Sequence, residues 1–237
     1  MTALSYWEAL RHLSEPFELM KFTLIYDGDL PSSGNKSKPL EASKIRNEFH
    51  DQLADLWDRH IVLRQLRHEA RVSNQPGVFR RPASKAILPA YDGPPPPLGQ
   101  STMLVDLCAP ISIPDVGGFV PLVRHSLYLA CAVDVLFLRH EEPFSLMKNG
   151  GDLDGRLATL FDALRMPDPK HSYVGHTPTA DPLYVVLEDD ALISDFSVRG
   201  GRLLGNRVKK PHAVRLTIDV TIKALRVSDV NQCLTGA

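Results

Sequence analysis

The stretch Gly151-Asp152-Leu153-Asp154-Gly155-Arg156-Leu157-Ala158-Thr159-Leu160-Phe161-Asp162-Ala163-Leu164-Arg165 decides how this chain is read. Its apolar residues fall at helical spacing, which predicts a helix over Gly155–Arg165 that stops before Pro167. Before it, Ser126–Arg139 alternates Leu127, Leu129, Cys131, Val133, Val135 and Phe137, the strongest strand signal in the chain. After it, a polar loop leads to a strand at Leu183–Leu187, another at Ala191–Val198, and a last at Ala213–Leu225 with Val214, Leu216, Ile218, Val220 and Ile222 on one face. Upstream, Ser5–Leu19 reads as a short helix and Lys21–Gly28 as a strand. Leu30–Asn35 reads as a loop, followed by a long helix over Ala42–Arg71 with a break near His60. The apolar stripe of that helix is Ile45, Phe49, Leu53, Leu56, Trp57, Ile61 and Leu63. The implied class is α/β (α+β): a small mixed β-sheet with two main helices packed on it.

The stretch from Ser73 to Gly118 breaks this pattern. Pro76, Pro82, Pro89, Pro94 to Pro97, Pro110 and Pro114 punctuate it. Such spacing predicts an irregular, Pro-rich insertion, with short strands near Met103–Leu107 and Phe119–Val123. The chain then divides into an N-terminal helical extension (1–20), a core (21–72 and 119–227), the insertion (73–118) and a tail (228–237). With 237 residues, of which 43% are hydrophobic, a core can form without staples. Cys108, Cys131 and Cys233 are too far apart for a zinc site and odd in number, so neither a disulfide framework nor a structural metal is indicated. No stretch is apolar enough to span a bilayer, and the N-terminus lacks the apolar run of a signal peptide; the expected location is cytoplasmic.

The net charge of −1 argues weakly against nucleic acid, but it is unevenly spread. From Arg59 to Lys85 there are seven basic residues against one acid, Glu69, a local net charge of +6. That region is either a solvated helix face with a basic loop or a phosphate-binding surface. His171 and His176 have no acidic partner at useful spacing and read as surface residues. Gly200-Gly201-Arg202-Leu203-Leu204-Gly205 lacks the Lys-Ser/Thr ending of a phosphate loop and reads as a turn.

Two acidic clusters bracket the Gly155–Arg165 helix: Asp152 with Asp154, and Glu188-Asp189-Asp190. If Asp154 is the N-cap, its backbone and that of Asp152 are extended, which places both carboxylates on one side, roughly 6–7 Å apart. Such a pair can clamp a hard cation that takes oxygen ligands, and Asp190 or Asp189 from a separate segment would complete the shell. The ordinary alternatives are a helix cap for Asp154 and a turn for Asp189-Asp190.

Three motifs in order then resemble the RusA-type Holliday junction resolvases. These are Leu30-Pro31-Ser32-Ser33-Gly34-Asn35 after a strand, Asp152-Leu153-Asp154-Gly155 running into Leu160-Phe161-Asp162-Ala163-Leu164, and Glu188-Asp189-Asp190-Ala191-Leu192-Ile193-Ser194-Asp195. The helix carrying Arg46 and Phe49 also lies where that family has one. The resemblance covers about Lys21–Asp58 and Tyr128–Leu225. It implies a homodimer that binds branched DNA and cuts it with Mg²⁺, Mn²⁺ being the natural substitute. It implies that Asp152, Asp154 and Asp190 hold the metal with Asp189 beside them, and that Asn35 lies near the phosphate. Arg156, Arg80, Arg81, Lys85, Lys209 and Lys210 are the candidate DNA contacts, and the 73–118 insertion is a candidate surface for a protein partner. Two positions depart from the family: its Asn after the second Asp is Gly155, and its Lys four residues after that Asp is Ala158. The alternative reading is therefore a weakened or inactive relative that binds DNA or a protein.

Overall fold

Alternation of apolar and polar residues becomes a sheet with one dry and one wet face. The computed structural model describes residues 17–31, 38–60, 63–64, 109–140, 153–167, 178–204 and 213–225. Strand β1 is Phe17–Asp29 and helix α1 is Lys38–Arg59. Strands β2 (Ile111–Ile113), β3 (Gly117–Val123) and β4 (Leu129–Arg139) precede helix α2 (Leu153–Leu164). Strands β5 (Leu183–Leu187), β6 (Ile193–Arg202) and β7 (Ala213–Ala224) complete the described chain. The fold is thus mixed α+β, with two helices and two sheets among the described residues. The larger sheet has the order β1-β7-β4-β6 and the smaller β2-β3-β5. β7 runs antiparallel to both β1 and β4, while β4–β6 and β3–β5 are parallel pairs.

In β7 the buried residues are Val214, Leu216, Ile218, Val220, Ile222 and Ala224, every second position. Their neighbours in register, Val133, Val135 and Phe137 on β4 and Leu24 and Tyr26 on β1, are buried on the same face. Helix α1 covers this face with Ala42, Ile45, Phe49, Leu53 and Trp57, and α2 adds Leu160, Ala163 and Leu164. Each fully buried Leu, Ile or Phe side chain among these contributes about 1.5–3 kcal/mol. The opposite face is polar and laced by cross-strand pairs: Thr23 to Asp219, Arg215 to Asp27, Ser197 to Asp134 and Lys223 to Asp195.

Several element boundaries differ from the sequence reading; helix α1 begins at Lys38 rather than Ala42 and α2 at Leu153 rather than Gly155. The strand expected from Lys21 begins at Phe17, so the end of the expected Ser5–Leu19 helix is strand; its earlier part lies outside the described residues. Pairing with β7 overrides local propensity there, since Phe17 lies opposite Ala224. The end of the expected insertion is also ordered sheet: β2 pairs with β3, and buried Arg124 donates to the Ala109 carbonyl at 2.6 Å, tying this segment to the core. The turn between β2 and β3 needs Gly117, whose φ of +132° suits no other residue well. The expected Met103–Leu107 strand lies outside the described residues, whereas Phe119–Val123 is strand as expected. Finally, β6 begins at Ile193 rather than Ala191 and runs through Gly200-Gly201, which sit in strand rather than a turn. The break in the long helix falls at His60, after which the Arg64 amide still bonds the His60 carbonyl.

Two local contacts carry testable consequences. The Tyr26 ring lies over Gly28, where an added Cβ would come within 2.5 Å of the Tyr26 hydroxyl oxygen. That hydroxyl donates to the Asp29 carbonyl at 2.8 Å, and the ring meets Phe49 edge-on. Gly28→Ala must displace the ring and is expected to cost about 1–3 kcal/mol in denaturant melts, whereas Tyr26→Phe should cost only about 1 kcal/mol.

On the other side of α1, Tyr184 of β5 is stacked between His50 and Trp57, at 5.6 and 5.5 Å. His50 Nδ1 accepts the Tyr184 amide at 2.9 Å, which places the ring proton on Nε2. Burial pushes the His50 pKa down, with Asp51 partly offsetting it. The unfolded chain therefore binds more protons, so this contribution to stability is full above about pH 6.5 and is lost as pH falls below it. His60, also pushed down by burial, acts with the same sign. Unfolding midpoints at pH 7.5 and 5.5 should differ less in His50→Gln than in the wild type; equal differences would assign the effect elsewhere.

Candidate functional site

Helix α2 is where the three motif segments meet. Its first half faces the chain that leaves β1. The Arg156 guanidinium donates to the Leu30 carbonyl, and Thr159 Oγ1 donates to the carbonyls of Gly155 at 3.1 Å and Pro31 at 3.3 Å. The segment leading toward Asn35 is therefore bound to the helix that carries Asp154. These contacts join residues more than 120 positions apart.

Arg156 is only 1% exposed. It was expected as a phosphate contact; instead it is a buried structural cation that satisfies a backbone carbonyl of a neighbouring segment. A guanidinium can be buried in this way because its donors match carbonyl lone pairs. Asp154 is exposed, but it lies in the first turn of α2 rather than at an extended N-cap, because the helix already starts at Leu153. The extended geometry assumed for the Asp152–Asp154 clamp is thus corrected at Asp154. Asp152, Asn35, Arg80, Arg81, Lys85, Lys209 and Lys210 lie outside the described residues.

The second acidic segment sits at the opposite end of α2. Arg165 makes a parallel bridge with Leu187, and the Met166 amide bonds the Leu187 carbonyl at 2.9 Å. The chain then turns through Glu188 to Asp190 beside the last turn of the helix. Glu188 Oε2 accepts the His125 amide at 3.0 Å. Asp189 caps a one-turn 3-10 helix, Asp190–Leu192, by accepting the Ala191 amide at 2.8 Å. This is the turn that opens β6, so the acidic pair precedes the strand as a cap. Asp190 is about half exposed and lies 3.7 Å from Arg165 Nε.

Arg165 is itself held twice over. Its Nε and Nη2 donate to Asp162 Oδ1 at 3.1 and 2.8 Å. Beneath it, Arg46 of α1 is 3% exposed and donates from Nε to the Arg165 carbonyl at 2.8 Å and from Nη2 to the Asp162 carbonyl. Burial, and secondarily the neighbouring Arg165, push the Arg46 pKa down to about 9, with Asp162 acting the other way; it remains a cation at neutral pH. Arg46 thereby caps the carboxyl end of α2, where orphan carbonyls and the helix dipole both favour a cation.

The cation among the second set of carboxylates is thus Arg165. Asp162 and Arg165 could have been paired from their i,i+3 spacing. Their link to Asp190 and to Arg46 has no sequence signal, because it depends on β5 running beside the helix end.

These contacts separate the two acidic clusters. At 1.5 Å per residue, the last turn of α2, where Asp190 is held, lies about 12–16 Å along the axis from Asp154. Two oxygen ligands of one Mg²⁺ lie within about 4.2 Å of each other. Asp154 thus sits in the first turn of α2 and Asp190 beside the Arg165 side chain at its other end, and among the described residues, which do not include Asp152, no three His, Cys, Asp or Glu side chains form a group able to hold an ion. The expected shell of Asp152, Asp154 and Asp190 includes Asp152, which lies outside the described residues. Asp195, the last acid of the third motif, points to the wet face of the sheet. Its pKa is lowered first by the hydrogen bond from Ser194 and then by Lys223 at 3.1 Å.

No helix among the described residues is long and apolar enough to cross a membrane. The chain matches no family model, no curated protein and no solved structure.

Proposed function

We propose that this chain is a Mg²⁺-dependent, structure-specific endonuclease of the RusA type acting on branched DNA, with Asp152 and Asp154 at the start of α2 as the ion-binding carboxylates. The observation that carries this reading is the convergence of the three motif segments on one helix. The Leu30–Pro31 segment is hydrogen-bonded to Arg156 and Thr159, and Asp190 is ion-paired with Arg165. A bound Mg²⁺ would supply charge stabilisation for phosphodiester hydrolysis. The protein's own part is to hold the Asp154 turn against the segment leading to Asn35, and Arg156 does this from inside the fold. Phosphate contacts fall to Arg80, Arg81, Lys85, Lys209 and Lys210, and the family's dimeric state belongs to the same proposal.

A second reading is favoured by specific observations: a RusA-like protein that binds branched DNA or a protein partner without cutting. Ala158 stands where the family has Lys, Arg156 is buried, and Asp190 already has a protein cation. Incubating the purified chain with four-way junctions, flaps and forks in Mg²⁺ or Mn²⁺ separates the two. Cleavage lost in Asp154→Asn supports the nuclease. Tight junction binding without cleavage in the wild type, unchanged in Asp154→Asn, replaces it with the second reading.

A further inference from the structure

The larger sheet brings a basic strand end to the first turn of α2. From Phe196 to Ile218 the chain carries Arg199, Arg202, Arg207, Lys209, Lys210 and Arg215 and no acid. β4 and β6 are parallel and end together, with Arg139 opposite Arg202. β7 starts at that same end, since Arg215 lies opposite Leu138 of β4, and β1 finishes there, since Asp29 lies opposite Ala213. The Leu30 carbonyl, one residue on, accepts from Arg156 near the start of α2. The Asp154 end of α2 and the Arg202 end of β6 therefore share one end of the sheet. Asp190 lies at the other, beside Arg165, where β6 begins.

α2 thus runs antiparallel to β6, and one stripe of the helix looks at the strand. Asp154, Ala158 and Phe161 are spaced i, i+4, i+7 and share a face, and Phe161 meets Phe196 of β6 edge-on at 5.7 Å. Alternation puts Val198, Gly200 and Arg202 on the same side of β6 as Phe196, opposite the core residues Val135 and Phe137 and then Arg139. The four residues of strand from Phe196 to Gly200 span about 13 Å, and the seven of helix from Phe161 back to Asp154 about 10 Å. Gly200 is therefore roughly level with Asp154 and puts no side chain of β6 there, while Arg202, an exposed residue, stands just past it. The stripe itself carries no cation between Asp154 and Arg165, and Arg165 is bound to Asp162. Arg139, opposite Arg202 on the same side of the sheet, is 4% exposed. Two guanidiniums facing each other across strands favour an anion beside them.

We infer that Arg202 binds a phosphate of the DNA backbone beside Asp154, supplying from β6 the cation that α2 lacks at Ala158. A guanidinium suits this task because it can hold two phosphate oxygens at once. The inference rests on the DNA-binding reading above and applies whether or not the chain cuts.

Fluorescence anisotropy of the full chain on a labelled four-way junction, without divalent metal and from about 50 to 200 mM salt, tests it. Arg202→Ala should weaken binding about threefold to tenfold and reduce the slope of log affinity against log salt by about 1. R202K, which keeps the charge, should stay closer to the wild type. R199A removes the same charge three residues away on the opposite face of β6 and should leave the slope unchanged. The double variant A158K/R202A should regain affinity and slope, since the introduced ammonium approaches the same place from α2; a misfolded R202A could not be rescued in this way. A wild type that binds the junction while R202A keeps its affinity and slope overturns this inference alone. Equal losses in R199A and R202A, or no recovery in A158K/R202A, overturn it as well. A wild type that binds no junction removes the DNA reading and this inference with it.

Discussion

Arg46→Ala is expected to lower the stability of this protein by about 2–5 kcal/mol. Two part-buried carbonyls, those of Asp162 and Arg165, lose their donors, and each unsatisfied acceptor costs about 1–3 kcal/mol. The loss should appear as a shift in the urea midpoint with little change in slope. Arg46→Lys should recover only part of it, because one ammonium lacks the fork that reaches both carbonyls at once. A midpoint within about 0.5 kcal/mol of wild type, the range of ordinary surface substitutions, would show that the cap is not what holds the end of α2. The site depends on the same contact: if the last turn of α2 frays, Arg165 and with it Asp190 lose their position.

Asp154→Asn and Asp190→Asn are expected to behave differently, and the contrast tests the arrangement proposed for cleavage. Under the nuclease reading, Asp154→Asn removes a ligand of an ion contributing several kcal/mol to the transition state, so the rate should fall about 10³-fold. Its stability should fall by no more than about 1 kcal/mol, the scale of a first-turn carboxylate against the helix dipole. Asp190→Asn removes a half-exposed ion pair worth about 0–1 kcal/mol. Its cleavage rate should fall by no more than about tenfold, as expected for a group that acts through other residues. Single-turnover rates on a fixed junction, with binding measured separately, report both. Equal collapse of cleavage in the two variants would mean that Asp190 joins the ion after all and that the separation along α2 is not kept in the working enzyme.

Much of the fold was legible because it follows local periodicity. The alternation in β4 and β7 and the stripe Ile45, Phe49, Leu53, Trp57 reappear as buried faces, and Leu183–Leu187 is strand at the residues expected. The misread boundaries share one cause. Phe17–Leu19 and Ile111–Ile113 are strands because a partner strand is available, at Ala224 and Phe119 respectively, and such pairing leaves little mark on a short segment. The site was legible as a set of residues but not as a geometry. Arg156 looked like a surface cation because an arginine's burial depends on which carbonyl waits for it, here that of Leu30. Arg165 and Arg46 were not singled out as site residues, since their partners come from other segments.

By itself the sequence determined most of the elements and their order, the faces they bury and the presence of two acidic clusters on either side of one helix. Only the tertiary structure decided where those clusters lie. A helix of twelve residues keeps its ends apart whatever its flanks carry. The bridge between Arg165 and Leu187 fixes Glu188-Asp189-Asp190 at the far end from Asp154. That bridge is a contact between strangers in sequence, set by the packing of β5 and α2 against a common core, and no local pattern of residues encodes it.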